Sequence, residues 1–355
     1  ALEYLVREVD GVRVGITGVS HDHMHTISGM SDAVLNLDPV TEVRRVVQHL
    51  REVEQVDLTV VMAHLDPETE VRMAEEVAGL DLILGAHYPE VFDSPRLIGD
   101  TLLSKAGDEY TYLAEVTFLF RRIDEQVERL GWAYTRHDVT SQVVPDPHVN
   151  LFVAEWLAQL DDALGEIIGH TTTPLERDAR YEQDIALGNL ITDAFLYLTE
   201  ADIALTNNGG IRASIPAGDF SARDIYQVLP FGNEVVVLEI AGSDLRDAIA
   251  LGYERRNQND LQVAGASYEI IVDADDQLVD LRLTIDGEAI DPERTYQLAT
   301  LDYLAEGGSE YPFPDTATVL HLTGVTDAEA VIRYLQEIGT VDYPETEGRI
   351  QITRQ

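Results

Sequence analysis

Apolar residues in the first part of the chain follow strand-like and helix-like spacings in turn. Val12–Gly18, Leu58–Ala63 and Leu80–Leu84 are short apolar segments that predict buried strands. Asp38 and Asp66 each precede a proline and begin a stretch whose apolar residues recur every three or four positions, which predicts two helices. Strands that alternate with helices predict a layered α/β fold whose chemistry lies at the carboxyl ends of the strands.

The pattern changes near residues 144–147, where the chain reads Val-Pro-Asp-Pro. A helix is predicted from His148 to about Leu164. Beyond this helix, the predicted helices and strands follow an order that differs from the α/β pattern of the first part. We predict a helix at Leu187–Thr199, a helix near Gly242–Tyr253, and strands at Ala201–Leu205, Asn233–Ile240 and Ser267–Asp273. The chain is therefore predicted to contain an α/β domain over 1–146, a connecting helix over 147–164 and an α+β domain over 165–355.

Histidines mark the ends of predicted strands in the first domain. His64 follows Leu58–Ala63, and His87 follows the strand that ends at Leu84. A further group, His21, His23 and His25, occupies alternate positions, so that in an extended segment the three imidazoles share a face and could bind one transition metal. The alternative is that these three side chains lie in a solvated loop.

The net charge of the chain argues against negatively charged partners. The 355 residues contain 65 Asp and Glu against 24 Lys and Arg, a formal net charge of -41, and Lys105 is the only lysine. Such an acidic surface repels nucleic acid and anionic lipid, so neither is expected as a partner. It also favours a halophilic source, because molar salt screens charges within about 3 Å. The absence of cysteine excludes a disulfide scaffold and a zinc–thiolate site.

Aromatic residues on glycine-bearing loops are the strongest chemical signal in the second domain. Residues 205–212 lead from a strand into a tight Asn-Asn-Gly-Gly turn followed by Arg212. Phe231 lies in a Pro-Phe-Gly loop, and Tyr303 lies beside a Gly-Gly turn. Two such rings could clamp a flat heterocycle by stacking. The alternative is that both rings belong to the core.

Five blocks in the second half resemble the 5′-nucleotidase family, which comprises two-domain metallophosphoesterases with a C-terminal nucleotide-binding domain. The blocks are ALGNLITDAF (186–195), TNNGGIR (206–212), LPFGNEVV (229–236), LQVAGASYE (261–269) and YLAEGGSEY (303–311). The resemblance implies part of a four-layer metallophosphoesterase α/β sandwich, followed by an α+β 5′-nucleotidase C-terminal domain.

The same resemblance implies a set of substrate contacts. Phe231 and Tyr303 would enclose the base, and Asn207 and Arg212 would contact the substrate. The full implied set is Asn207, Gly209, Gly210, Arg212, Phe231, Gly265, Tyr303 and Arg180, the last of which is one residue out of register with the family arginine. Ser309 stands where the family usually has an aspartate that holds the ribose hydroxyls, which leaves the nucleotide preference open.

The metal-binding half of the family is matched only in its later portion. VVMAHLD (60–66) and LILGAHYP (82–89) resemble two histidine blocks, so the resemblance implies His64 and His87 as ligands of Zn, Mn or Co, of which the family holds two ions. Pro89 replaces the ligand that follows the second histidine. The upstream Asp-x-His, bridging aspartate and Gly-Asn-His-Asp/Glu blocks are absent from the chain as given, so two histidines cannot hold two ions and this chain alone is expected to be inactive.

The expected function is therefore metal-dependent hydrolysis of nucleotide phosphate esters in nucleotide catabolism by the complete protein. A non-catalytic nucleotide- or nucleoside-binding remnant is the alternative. The partner is a small molecule, whereas the nucleotide, the metal and the oligomeric state stay open. No apolar run is long enough to span a membrane, and no signal peptide is visible, although the resemblance implies an extracellular or cell-surface location.

Overall fold

The chain divides into two compact units in a computed structural model. The structure describes residues 2–21, 35–88, 90–107, 110–123 and 126–355. One unit ends at Asp146 and the next begins at Pro147.

A six-stranded sheet forms the centre of the first unit. Its elements are β1 (Leu5–Val9), β2 (Val12–Ser20), α1 (Pro39–Glu52), β3 (Leu58–His64), α2 (Pro67–Glu76), β4 (Leu82–Gly85), β5 (Arg96–Ile98) and β6 (Thr101–Lys105). The strand order is β1-β2-β3-β4-β6-β5. The four inner strands are parallel, and β1 and β5 pair antiparallel at the two edges. The carboxyl ends of β2, β3, β4 and β6 therefore meet at one edge.

The two helices of this unit begin at aspartate–proline pairs for a physical reason. The carboxylates of Asp38 and Asp66 each accept a 2.8 Å hydrogen bond from a backbone N–H in the first turn, and the proline that follows lacks an N–H which would otherwise be left without a partner. Both helices turn an apolar face toward the sheet. The buried cluster that results includes Val43, Val47, Leu65, Met73 and Ile83.

A long two-stranded ribbon completes the first unit. β7 (Tyr112–Ile123) pairs antiparallel with β8 (Gln126–Asp138) over most of their length. Side chains along β7 alternate between partly buried and exposed positions as far as Phe120. This alternation is the period-two pattern of a strand with one covered face.

The second unit contains three sheets. Its strands are β9 (Ile167–Thr171), β10 (Ile203–Asn207), β11 (Gly218–Ser221), β12 (Glu234–Ala241), β13 (Leu261–Ala264), β14 (Ser267–Val272), β15 (Leu278–Ile285), β16 (Glu288–Ala289), β17 (Thr295–Leu301), β18 (Ala317–Thr326), β19 (Thr340–Val341) and β20 (Ile350–Arg354). The strand orders are β13-β10-β17-β12-β18, β11-β9-β19 and β16-β15-β14-β20.

Helices surround these sheets and close a large apolar core. They are α3 (Pro147–Leu164), α4 (Ala186–Thr199), α5 (Ala222–Val228), α6 (Gly242–Glu254), α7 (Asp302–Ala305), α8 (Phe313–Thr316) and α9 (Asp327–Ile338). Phe195, Leu205, Leu238 and Leu298 lie fully within that core. In contrast, α3 exposes Phe152 and Trp156, and its predicted role as a connector stays a prediction.

Among the described residues, no helix has the length and apolar character that a membrane span requires.

Candidate functional site

Strand register brings the predicted aromatic residues to one edge of the five-stranded sheet. β10 and β17 run parallel, so their carboxyl ends, at Asn207 and Leu301, lie at the same edge. Leu301 also pairs with Val235 near the start of the antiparallel β12. The loop that carries Phe231 enters β12 at this edge, and Tyr303 follows β17 there. We call Asn207, Phe231 and Tyr303 the aromatic edge.

The two rings of the aromatic edge differ in their surroundings. Phe231 is 60% exposed and is therefore not a core residue, and the guanidinium carbon of Arg212 lies 5.9 Å from its ring centre. Tyr303 is partly buried, and its hydroxyl lies 3.1 Å from the Ser309 hydroxyl in a hydrogen bond. A Cβ at Gly308 would stand 2.5 Å from the Tyr303 ring, so the Gly-Gly turn gives that ring its space.

The turn beside Tyr303 has an unusual backbone. Gly307, Ser309 and Glu310 all have positive φ, at 90°, 54° and 61°. Glycine adopts this region freely, but serine and glutamate do so at an energetic cost, and such residues concentrate at functional sites. The strained pair therefore lies next to the ring that the sequence assigned to base binding.

A neutral hydrogen-bond network supports the aromatic edge from inside. Asn208 is fully buried; its side-chain amide donates a 2.6 Å bond to the carbonyl oxygen of Arg180 and another to that of Asn259. The Gln262 amide donates a 2.9 Å bond to the side-chain oxygen of Asn208. The network ties the segment that carries Arg180 to β10 and β13. Sequence reasoning missed Asn208 and Gln262, although an asparagine directly after a buried strand is a usable signal.

The Arg180 side chain also donates a hydrogen bond to this network. Its Nε donates a 3.1 Å hydrogen bond to the carbonyl oxygen of Asn208, and its guanidinium carbon lies 4.5 Å from the centre of the Tyr181 ring. The side chain is thus held by the same segment that forms the Asn-Asn-Gly-Gly turn. Its contact with a substrate stays a prediction.

Asn207 presents a different kind of polar atom. The side chain is 7% exposed, and among the described residues its Oδ1 has no hydrogen-bond partner. A Cβ at Gly210 would lie 3.2 Å from this oxygen, and one at Gly209 would lie 3.4 Å from the amide nitrogen, so the two glycines leave room around the amide. A buried amide oxygen without a partner is costly, which fits an atom that a ligand completes.

Gly265 lies at the opposite edge of the same sheet from the other predicted residues. It follows the carboxyl end of β13, where Ala264 pairs with Ala204 near the start of β10. Its φ is 74°, and a Cβ there would stand 2.2 Å from the carbonyl oxygen of Asp202. Backbone packing alone thus requires glycine at this position, and a substrate contact stays a prediction.

A charged pair is buried beside β13. The Arg255 guanidinium and the Tyr311 hydroxyl donate hydrogen bonds of 2.6 Å and 2.9 Å to the Asp260 carboxylate. Burial raises the pKa of Asp260 although Arg255 opposes that shift, and burial with the nearby carboxylate holds the pKa of Tyr311 well above its ordinary value. Asp260 also accepts a backbone bond from Asn208, so this pair helps to fix the turn.

In the first unit, three histidines meet at the carboxyl edge of the parallel sheet. His21 follows β2, His64 ends β3 and His87 follows β4, and the register that pairs Ser20 with His64 brings the first two strand ends together. The ring centre of His87 lies 4.6 Å from those of His21 and His64. Nδ1 of His87 is 2.9 Å from Nε2 of His64. We call His21, His64 and His87 the histidine edge.

This arrangement differs from the predicted histidine cluster. His21 lies with His64 and His87, whereas His23 and His25 fall outside the described residues, as does Pro89. His87 also has a positive φ of 76°, which a residue with a side chain seldom adopts. The sequence could not show that β2 and β3 are neighbours, so it could not group these three rings.

The histidine edge supplies only some of the ligands that a two-ion metal centre requires. The 2.9 Å separation between the two nitrogens is a hydrogen-bonding distance, somewhat shorter than the roughly 3.3 Å expected for two nitrogens on one tetrahedral zinc. Among the described residues, no group of three or more His, Asp or Glu side chains is arranged to hold an ion. The described residues therefore supply imidazole donors but do not fit a complete two-ion centre.

Carboxylates and one ammonium lie behind these rings. Burial works to raise the pKa of Asp66, but hydrogen bonds from Thr69 and the charge of His21 bring it below its ordinary range. Burial raises the pKa of Glu70 although the Lys105 ammonium opposes that shift. Nζ of Lys105 lies 2.9 Å from the carboxylate oxygen of Glu70. Asp66, Glu70 and Lys105 were not singled out as part of a site from the sequence.

Comparison with known proteins bears out the resemblance. Residues 167–324 match the family model for the 5′-nucleotidase, C-terminal domain. A 5′-nucleotidase precursor from Thermus thermophilus has a similar structure, with a TM-score of 0.83 and 29% identity over 99% of this chain and 74% of that chain. These matches confirm the predicted resemblance and the predicted fold class of an α/β unit followed by an α+β unit.

Curated relatives extend over nearly the whole chain at low identity. Protein UshA of Yersinia enterocolitica is 26% identical over 98% of this chain and 72% of its own length. The trifunctional nucleotide phosphoesterase protein YfkN of Bacillus subtilis is also 26% identical over 98% of this chain. The chain spans only 25% of the length of that Bacillus protein.

Proposed function

We propose that the second unit binds a nucleotide or nucleoside with its base between Phe231 and Tyr303, and that the protein hydrolyses phosphate esters of nucleotides in a metal-dependent reaction. The observation that carries this proposal is the register of the five-stranded sheet, which delivers both aromatic loops to the edge where Asn207 ends β10. Similarity to a 5′-nucleotidase precursor and to a nucleotide phosphoesterase supports the substrate class.

Each residue of the proposed site has a chemical role that suits its surroundings. The exposed Phe231 offers a ring face to a base, and stacking of this kind contributes about 1–3 kcal/mol per base. The exposed guanidinium of Arg212 presents a fork of N–H donors that matches phosphate or ribose oxygens. The amide oxygen of Asn207, which has no hydrogen-bond partner among the described residues, accepts a hydrogen bond from the ligand.

The metal part of the proposal assigns His64 and His87 as ligands of zinc, manganese or cobalt. Such ions, when bound, lower the pKa of a water molecule and stabilise charge on a phosphoryl group. The imidazoles face one another at the sheet edge and would provide nitrogen ligands. Because the described residues do not complete a two-ion centre, we assign no catalytic step to them.

The second candidate function is nucleotide or nucleoside binding without catalysis. One observation favours this non-catalytic function: among the described residues, the imidazoles of the histidine edge are not grouped with the carboxylates that a metal centre needs. Such a site would bind substrate without activating water efficiently. A halophilic source and an extracellular or cell-surface location also stay proposals, so the experiments are performed at molar salt.

Calorimetric titration of the folded chain with adenosine and adenosine monophosphate tests the base site. We expect Phe231→Ala and Tyr303→Ala each to weaken binding about 5- to 150-fold, which corresponds to the loss of about 1–3 kcal/mol of stacking. Tyr303→Phe is the matched control because it retains the ring and loses only the hydroxyl bond to Ser309. Tyr197→Ala, at a half-exposed ring that packs on Tyr334, should leave binding unchanged.

Phosphate release from a panel of nucleotides by the complete protein, with metal content measured in the same samples, separates the two candidates. Turnover that needs Zn, Mn or Co and is lost in His64→Gln supports the hydrolase. Binding with no turnover at any metal concentration supports the non-catalytic function. Wild-type affinity retained by both alanine variants of the rings would contradict the base site itself.

A further inference from the structure

The only lysine of the chain is buried next to the histidine edge. Lys105 is the last residue of β6 and is 1% exposed. Its Nζ lies 2.9 Å from an oxygen of the fully buried Glu70 and donates a 2.9 Å hydrogen bond to Glu90. The desolvation of a buried ion pair generally offsets most of its Coulomb attraction, so stability alone gives a weak reason for this arrangement.

The two carboxylates belong to the two segments that follow the histidine-bearing strands. Glu70 lies on α2, which begins three residues after His64. Glu90 lies three residues after His87. Lys105 therefore joins the connection beyond β3 to the connection beyond β4, and it does so from a neighbouring strand, since Gly85 of β4 pairs with Lys105.

Further contacts from the Lys105 region fix the segment that carries His87. The backbone N–H of Phe92 donates a 3.0 Å bond to the Lys105 carbonyl, and that of Gly107 donates a 3.0 Å bond to the Glu90 carbonyl. The ammonium lies 5.9 Å from the centre of the Tyr88 ring, which itself meets the His87 ring edge-on at 5.0 Å. A continuous set of contacts thus runs from the ammonium to His87.

The backbone near His87 needs such support. His87 holds a positive φ of 76°, and a residue with a side chain keeps that conformation only where its surroundings enforce it. A Cβ at Gly85 would stand 2.5 Å from Glu70 and 2.8 Å from Lys105, so β4 passes directly against the ion pair.

We propose that Lys105 is a positioning residue: its ammonium, held between Glu70 and Glu90, fixes the segment that carries His87 so that the His64 and His87 imidazoles stay in contact. The positioning of the rings is independent of any ligand. Its consequence for metal binding rests on the proposed function.

The direct test measures the contact between the two rings in the metal-free chain by nuclear Overhauser effects between ring protons, with histidine labelled selectively. The cross-peak is assigned by its disappearance in His64→Gln. We expect it to be lost in Lys105→Met, which retains a similar apolar stem without the charge. Glu90→Gln, at a partly exposed carboxylate, is the milder variant and should weaken the cross-peak without unfolding the unit.

Arg51→Met is the matched control. Arg51 pairs with the buried Asp81, which precedes β4 and so lies at the opposite edge of the same sheet. Loss of this ion pair should lower the unfolding temperature but leave the cross-peak intact. A cross-peak of wild-type intensity in both Lys105→Met and Glu90→Gln would overturn the proposal, as would its equal loss in Arg51→Met.

The absence of cysteine allows a test of the charge itself. Lys105→Cys, alkylated while unfolded with bromoethylamine and then refolded, restores an ammonium at nearly the original position, whereas alkylation with bromopropane gives a neutral side chain of similar length. Recovery of the cross-peak only with the ammonium supports the proposal, and equal behaviour of the two refolded adducts contradicts it.

Cobalt titration of the same variants measures the consequence for metal binding by the absorption of the bound ion. We expect Lys105→Met to weaken Co²⁺ binding about 10- to 100-fold, the usual effect of losing groups that orient a metal ligand. A wild-type chain that binds no Co²⁺ would count against the metal part of the proposed function. It would leave the ring contact as an independent test of Lys105.

Discussion

The aromatic edge lies where strands of the five-stranded sheet end, and the histidine edge lies where strands of the six-stranded sheet end. Different kinds of residue support the two edges. Neutral amides lie behind the aromatic edge, where Asn208 and Gln262 bond to each other and to carbonyl groups. Charged groups lie behind the histidine edge, where Lys105 stands between Glu70 and Glu90. The aromatic edge therefore depends mainly on hydrogen bonds between neutral groups, with the Arg255–Asp260 pair beside it, and the histidine edge depends on an ammonium between two carboxylates.

This difference decides how each edge responds to substitution. A buried amide that loses its partner keeps an unsatisfied group whatever the pH or salt. A buried ion pair responds instead to the loss of either charge, because the remaining ion stays desolvated.

Neighbouring asparagines at the aromatic edge should behave in opposite ways. Asn208→Ala removes three hydrogen bonds; Gln262 and the Arg180 carbonyl keep other partners, whereas the buried Asn259 carbonyl loses its donor, so we expect the free energy of unfolding to fall by about 4 kcal/mol. Asn207→Ala removes an oxygen that has no partner among the described residues, so stability should change by less than about 1 kcal/mol while nucleotide binding weakens. Denaturant unfolding and calorimetric titration at molar salt measure the two effects. Equal destabilisation by both variants would contradict the assignment of Asn208 to structure and Asn207 to binding.

A buried carboxyl near the aromatic edge should make stability depend on pH. Asp327 begins α9, is 1% exposed, and donates its backbone N–H to the carbonyl of Asn233 in the Phe231 loop. Burial, with a further contribution from the charge of Asp302, raises its pKa from 3.8 to about 7. The folded chain therefore holds a proton between these values that the unfolded chain has released, and the free energy of unfolding falls as pH rises through this window.

Asp327→Asn removes that dependence. At pH 8 the variant should be more stable than the wild type by roughly 3–4 kcal/mol, and the difference should vanish below about pH 4. Unfolding measured at several pH values and constant molar salt gives this curve. A difference that stays the same at every pH would show that Asp327 does not titrate in this range.

At the histidine edge, Gly85→Ala tests how closely β4 approaches the charged residues. The added methyl would stand 2.5 Å from Glu70 and 2.8 Å from Lys105, so we expect a loss of about 1–3 kcal/mol in the free energy of unfolding. Gly131→Ala is the matched control in β8, where nothing lies within 4 Å of the added atom. Similar stability of the two variants would mean that the ion pair moves aside without cost.

Sequence reasoning was most successful where the determinants are local. Asp38-Pro39 and Asp66-Pro67 predicted the starts of α1 and α2 because an aspartate cap and a proline act within a single turn. β17 was not predicted, although it lies between β10 and β12 and brings their loops together. Its position depends on pairing with distant residues, which a local pattern does not contain.

The same limit applies to the candidate site. The sequence singled out Phe231 and Tyr303 from their glycine-bearing loops, and the resemblance supplied Asn207 and Arg212, but their substrate contacts stay predictions. The grouping of His21 with His64 required the register between β2 and β3. Lys105 stood out only as the sole lysine, since nothing in its neighbourhood of the chain indicates that Glu70 and Glu90 surround it.

A crystal structure of the chain with bound adenosine at high salt would show where the base binds. We expect the adenine to lie between the rings of Phe231 and Tyr303 at the aromatic edge, with a ligand donor hydrogen-bonded to the side-chain oxygen of Asn207. Adenine bound elsewhere, or at this edge without contact to either ring, would contradict the proposed base site.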